Sequence, residues 1–78
     1  MTIAITRTVD VKGLSCPIPI VKTAQAMKQL APGEVIEVLA TDPGSVKDFA
    51  AWSKTTGNEL VEATQEAGVF RFVIKKKG

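Results

Sequence analysis

The stretch Gly13-Leu14-Ser15-Cys16-Pro17-Ile18-Pro19 separates an alternating apolar segment from an amphipathic one. Proline is tolerated in the first turn of a helix, because the N–H groups there have no intrahelical partner. We therefore predict a helix with Pro17 as its first residue and Cys16 as its N-cap. Cysteine is not among the residues preferred as caps. The sequence thus indicates that the sulfur serves a purpose other than capping.

The segments on either side predict six elements in the order βαβαββ. Residues 3–11 alternate like a half-buried strand, and a helix follows to about Ala31. Residues 34–40 predict a second strand, and Asp42 (N-cap) and Pro43 (N1) predict the start of a second helix that ends at Gly57. Two strands, 58–65 and 69–76, form a hairpin around residues 66–68. Apolar spacing assigns these residues to the inner helix faces: Ile20, Val21, Ala24, Met27, Leu30 and Ala31 in the first helix, and Val46, Phe49, Ala50 and Ser53 in the second.

This order predicts an α+β fold, a two-layer α/β sandwich in which both helices cover one face of a mixed four-stranded sheet. The polar alternate positions of the first, third and fourth strands require solvent on the other face. A right-handed crossover between parallel first and second strands places Cys16 and Asp42 at one edge of the sheet. Open α/β sheets tend to place their sites at this edge.

Length and composition predict a single small domain, residues 1–78, in the cytoplasm. The net charge is +2, there is no histidine, and the single cysteine cannot form an internal disulfide. No apolar run approaches the roughly 20 residues that a membrane span requires, so we expect no membrane association. The charge bias is too weak to indicate nucleic acid by itself.

The chemistry open to Cys16 is narrow. The positive end of a helix dipole favours the thiolate, and Pro17 and Pro19 leave chiefly the amides of Ile18 and Ile20 to face the sulfur. Without histidine or a second thiol, the chain cannot build a Cys-His pair, a disulfide relay or a zinc site, so we expect neither cofactor nor metal. A nucleophilic sulfur that accepts a group and passes it on fits this position, and an inert buried cysteine is the alternative.

The run from Gly13 to Pro19, continued by Ile20-Val21-Lys22, resembles the CPxP signature of the TusA/SirA/YedF family of small sulfur carriers. Further segments resemble the family in the same order, so that the similarity extends from Asp10 to Lys76. These segments are Pro32-Gly33-Glu34, Thr41-Asp42-Pro43, Phe49-Ala50-Ala51-Trp52 and Thr56-Gly57-Asn58-Glu59-Leu60.

The resemblance implies that Cys16 accepts a persulfide sulfur from a cysteine desulfurase or rhodanese-like donor and passes it to a downstream acceptor protein. This is a sulfurtransferase step at most, within tRNA thiolation, sulfur oxidation or related sulfur trafficking. It also implies that Pro17 and Pro19 set the turn, that Gly13 permits a tight approach, and that Asp42 lies near the sulfur or is a plain N-cap. Ser15 and Ile18 differ from the tRNA-thiolation branch, and Ser53 stands where some relatives carry a cysteine; the donor, the recipient and the oligomeric state stay open.

Two other functions stay open. One is a nucleic-acid-binding or regulatory module, suggested by Lys75-Lys76-Lys77 and by the fold that the family shares with a translation initiation factor domain. The sequence lacks the interleaved aromatics of many RNA-binding surfaces, so no direct nucleic-acid contact is expected. The other is a redox-sensing thiol that oxidises to a sulfenic acid or a mixed disulfide.

Overall fold

The computed structural model describes residues 4–15 and 17–77, which form six elements in the predicted order. They are strand β1 (Arg7–Val11), helix α1 (Ile18–Met27), strand β2 (Val35–Ala40), helix α2 (Ser45–Thr56), strand β3 (Glu59–Glu66) and strand β4 (Val69–Lys75). The sheet order is β1-β2-β4-β3; β1 and β2 are parallel, and the other two pairs are antiparallel. The predicted α+β fold with a mixed four-stranded sheet is confirmed.

The core lies between the helices and one face of the sheet. Phe49 of α2 stacks on Phe72 of β4 with ring centroids 4.6 Å apart, and both side chains are fully buried. Trp52 meets Phe49 edge-on at 6.2 Å. The other buried members of the core are Val11, Met27, Leu30, Ile36, Val38, Ala40 and Ile74.

The helix boundaries differ from the predicted ones at three ends. Pro17, with φ −96° and ψ 9°, is the N-cap of α1 rather than its first residue, so the prediction of Cys16 as N-cap is wrong. Gly44, not Asp42, is the N-cap of α2, so Asp42 and Pro43 precede the helix. After Met27 the chain tightens, because the Leu30 N–H donates to the Met27 carbonyl at 3.1 Å, and α1 ends short of Ala31. Gly57 ends α2 in the left-handed conformation, as predicted.

The inner helix faces are more polar than predicted. The buried residues of α1 are Pro19, Thr23 and Met27, and those of α2 are Ser45, Phe49 and Ser53. The Thr23 hydroxyl donates to the Pro19 carbonyl at 2.8 Å, so this buried oxygen is satisfied within the helix. The predicted inner residues Val21 and Val46 are instead 45% and 46% exposed, and Ala31 and Ala50 are also exposed.

A charged network crosses the sheet face that the helices leave uncovered. Arg71 of β4 donates from Nε to Glu37 of β2 and from Nη1 to Glu62 of β3 at 3.1 Å. Thr8 also donates to Glu37, at 3.0 Å. The Arg71 hydrogen bond, with a smaller contribution from Thr8, holds the pKa of Glu37 below its ordinary value against a partial opposing effect of burial. This face is less polar than predicted, because Val73 between these charges is fully buried.

Glu37→Gln is expected to lower the free energy of unfolding at neutral pH by about 1 kcal/mol. Because the pKa of Glu37 is lower in the folded state, its contribution is complete above the unfolded-state pKa of about 4.5 and is lost as the pH falls through the folded-state value. Urea unfolding at pH 7 and pH 3 checks this, with the exposed Glu66→Gln as control. A difference between wild type and Glu37→Gln that is the same at both pH values would contradict the prediction.

Candidate functional site

The candidate site is the loop between β1 and α1, at the carboxyl edge of the parallel strands. Gly13 adopts a φ of +81°, a conformation that costs a side-chain-bearing residue energy. Leu14 then turns inward: its N–H donates to the Val11 carbonyl at 3.2 Å, and its side chain packs against the core. The loop that leads to Cys16 is thus anchored by the backbone hydrogen bond of Leu14 and by the packing of the Leu14 side chain.

Thr41 ties this loop to the end of the neighbouring strand. Its Oγ1 accepts a hydrogen bond from the Gly13 N–H at 2.9 Å, so the residues that follow β1 and β2 are joined directly. From the sequence, Thr41 is predicted only to precede the N-cap of the second helix. The proximity of the two residues could have been predicted from the position of Thr41 immediately after β2, because parallel pairing brings the end of β2 beside the end of β1.

The helix start beyond Cys16 is held by a tight turn. The Ile18 N–H donates to the Ser15 carbonyl at 3.0 Å, and the Val21 N–H donates to the Pro17 carbonyl at 3.1 Å. The Ile18 amide is therefore hydrogen-bonded to the Ser15 carbonyl, and the prediction that it faces the sulfur stays a prediction. Pro19 is buried in the first turn of α1, whereas Pro17 is exposed. Cys16 itself lies outside the described residues, and the Ile20 amide's role stays a prediction.

Asp42 organises the start of α2 rather than capping it. Its Oδ1 accepts from the Gly44 N–H at 3.2 Å, and its carbonyl accepts from the Ser45 N–H at 3.0 Å. This Asx turn places Asp42, which is half-buried, directly after the Thr41 that holds Gly13. The structure thus brings Gly13 and the Thr41-Asp42 segment together. The prediction that Asp42 lies near the sulfur involves Cys16, which is outside the described residues.

Apolar side chains are exposed at the starts of both helices. Ile18 is 42% exposed, Val21 45% and Val46 46%. The first two lie one turn apart on α1, and Val46 lies in the first turn of α2. Large apolar groups at the edge that carries the candidate site favour contact with another protein over an isolated catalytic cleft.

The described residues contain neither a group of metal-ligating side chains nor a membrane-spanning helix. Among residues 4–15 and 17–77, no three histidine, cysteine, aspartate or glutamate side chains are grouped so that they could hold a metal ion. In the same part of the chain, neither helix is long and apolar enough to span a membrane.

Comparison with known proteins places the chain in a family. The family model described as sulfurtransferase TusA matches residues 7–76. The sulfur carrier protein TusA of Allochromatium vinosum is 52% identical over 67 residues, which are 86% of this chain and 88% of that relative. The crystal structure of a SirA-like protein from Desulfitobacterium hafniense has a TM-score of 0.82 and 25% identity, covering 94% of this chain and 100% of its own. The chain therefore belongs to the TusA sulfurtransferase family and has a SirA-like fold.

Thr41→Val is expected to free the Gly13 amide, because valine keeps the shape of threonine but cannot accept a hydrogen bond. We expect a loss of about 1 kcal/mol in stability and exchange of the Gly13 amide hydrogen faster by about tenfold. Hydrogen exchange followed by NMR checks this, with Thr64→Val on the exposed strand β3 as control. Unchanged exchange of the Gly13 amide hydrogen in the Thr41→Val protein would show that the Gly13–Thr41 hydrogen bond does not hold the loop.

Proposed function

We propose that this protein is a cytoplasmic sulfur carrier in which Cys16 accepts a sulfur atom as a persulfide and passes it to a partner protein. Membership of the TusA family across residues 7–76 carries the proposal, because the match includes the loop from Gly13 to Pro19. The anchored loop and the buried Pro19 support it, since they fix the backbone on both sides of Cys16.

The proposed reaction is an exchange at a sulfane sulfur. The Cys16 thiolate attacks the terminal sulfur of a donor persulfide, a new S–S bond forms at Cys16, and the donor's S–S bond breaks to release the donor thiolate. An acceptor thiolate then attacks the terminal sulfur on Cys16 in the same way and regenerates the Cys16 thiolate. No net oxidation takes place, so the step needs no cofactor. The fitting donors are a cysteine desulfurase or a rhodanese-like protein.

The roles of the neighbouring residues follow from their positions. Gly13 and Thr41 hold the loop, Pro17 and Pro19 define the turn into α1, and Asp42 fixes the adjacent segment through its hydrogen bond to the Gly44 amide. The partner supplies any acid or base, since the chain contains no histidine.

Incubation with a cysteine desulfurase and free cysteine tests the proposal. Intact mass spectrometry should show the addition of a single sulfur atom that a thiol reductant removes. Protein whose Cys16 has first been alkylated with iodoacetamide is the control and should gain nothing. If unmodified protein never gains a reducible sulfur from a desulfurase or from a rhodanese loaded with thiosulfate, the carrier function is wrong.

The basic end of the chain gives the nucleic-acid alternative little support. The Lys76 ammonium donates to the Leu30 carbonyl at 2.6 Å, just beyond α1. The Lys77 side chain lies over Gly57, at the end of α2. Two of the three consecutive lysines therefore lie at the negative ends of the two helices, where cations stabilise the fold.

A further inference from the structure

A groove runs between the C-terminal halves of the two helices. Its volume is about 230 Å³, and we call it the helix groove. Its lining residues are Ala24, Met27, Lys28, Trp52, Thr56, Asn58 and Lys76. Met27 is almost fully buried, while Ala24 and Trp52 are half-buried, so the groove presents an apolar surface with one aromatic wall.

The charged groups of the helix groove are all positive. Lys28 is exposed and forms no ion pair with any residue of the described ranges, and the Lys76 ammonium is fixed at one side by its bond to the Leu30 carbonyl. No carboxylate is among the described residues that line it. A second cleft shares Lys76 with the groove and is lined by Glu59 together with Lys75 and Lys77, so its charged groups are also mainly positive.

We propose that the helix groove binds an acidic segment of a partner protein that inserts a single large apolar side chain between α1 and α2. Charge complementarity selects the acidic flanks, since two ammonium groups border an apolar floor. The volume lies below the roughly 300 Å³ at which small-molecule sites begin, and it suits one anchoring side chain. A lone aromatic wall does not provide the successive stacking surfaces that single-stranded nucleic acid uses.

This surface is separate from the cysteine loop. The groove lies at the C-terminal ends of the helices, whereas Pro17 and Gly44 lie at their N-terminal ends. Helix α1 has ten residues, which correspond to about 15 Å of helix. The segment bound in the groove therefore contacts residues other than those of the cysteine loop, and the proposal does not depend on sulfur chemistry.

Titration with a capped peptide of sequence Asp-Glu-Leu-Phe-Asp-Glu tests the proposal. Trp52 is the only tryptophan of the chain, so its fluorescence reports directly on the groove. We expect a saturable change that weakens as salt is added, and amide chemical-shift changes confined to the C-terminal halves of α1 and α2. A peptide with lysines in place of the four acidic residues should not bind.

Three variants distinguish specific binding in the helix groove from non-specific electrostatic attraction to a positively charged protein. Lys28→Glu should weaken peptide binding by about tenfold or more, because it places like charges together. Ala24→Glu should do the same by filling the groove. Lys47→Glu makes the same charge change on an exposed residue of α2 outside the groove and should leave the affinity unchanged. Absence of saturable peptide binding, equal weakening by Lys47→Glu, or tighter binding of a uridine oligonucleotide at the same residues would each overturn the proposal.

Discussion

Phe49→Ala is expected to remove a large part of the stability of the fold. The Phe49 ring is fully buried, stacks on Phe72 and meets the edge of Trp52, so its loss opens a cavity where both helices and the sheet converge. Such truncations cost about 3–5 kcal/mol. A domain of this length has a total stability of roughly 4–12 kcal/mol, so the loss is a large fraction of the total and the urea midpoint should fall sharply.

Urea denaturation followed by circular dichroism measures this loss. Phe70→Ala is the matched control, because Phe70 is only half-buried and its ring centroid is 6.5 Å from that of Phe72. It should cost clearly less than Phe49→Ala. Equal losses for the two variants would mean that the stacked pair is not the centre of the core.

Cys16→Ser is expected to abolish sulfur acceptance while leaving the fold intact. Serine has nearly the same shape as cysteine but cannot form a persulfide, so the loss should be complete. The free energy of unfolding should change by less than about 1 kcal/mol. Desulfurase-driven loading and urea denaturation of the same preparation measure the two properties.

A shifted thiol tests whether position matters as well as the presence of sulfur. The double variant Ser15→Cys with Cys16→Ser moves the thiol by a single residue, to a position that is exposed. Because a misplaced nucleophile can cost about a hundredfold in rate, we expect loading to be slower by that order. Loading as fast as in the wild type would contradict a specific role for the turn before Pro17.

The sequence was sufficient to predict the topology of this fold. Strong alternation in the strands and glycine at the hairpin specify the element order, and the hairpin turn is confirmed with Ala67 and Gly68 both at positive φ. The start of α2 was placed too early because Asp42 is a common N-cap residue. In the structure its carboxylate forms an Asx turn with the N-cap residue Gly44, and the helix begins three residues after Asp42.

The inner faces of the helices could not be predicted from apolar spacing alone. Ser45 and Ser53 are buried on α2, and their hydroxyls have no hydrogen-bond partner among the described residues. The predicted pattern places Ser53 correctly on the inner face, but it misses Ser45 and assigns Val46 there, although Val46 is exposed. Serine occupies these buried positions because its small side chain lets α2 approach the sheet, and not because it is polar.

The hydrogen bond between the Gly13 amide and the Thr41 hydroxyl could not be predicted from the sequence either. Thr41 lies 28 residues from Gly13, and only the parallel register of β1 and β2 brings the two together. Within the site, the roles of Cys16, Pro17 and Pro19 stay predictions from the sequence. The sequence could not predict the hydrogen bond that positions the loop, because that bond depends on tertiary structure.

Cyanolysis of the loaded protein tests most directly whether Cys16 carries a transferable sulfur. The protein is loaded with radiolabelled sulfur by a desulfurase, separated from the donor by gel filtration and treated with cyanide. Cyanide attacks the terminal sulfur of a persulfide, which yields thiocyanate and the free thiolate. We predict labelled thiocyanate equimolar with the loaded chain and full recovery of the Cys16 thiol. Label that stays on the protein, or a Cys16 adduct that yields no thiocyanate, would contradict the sulfur-carrier function.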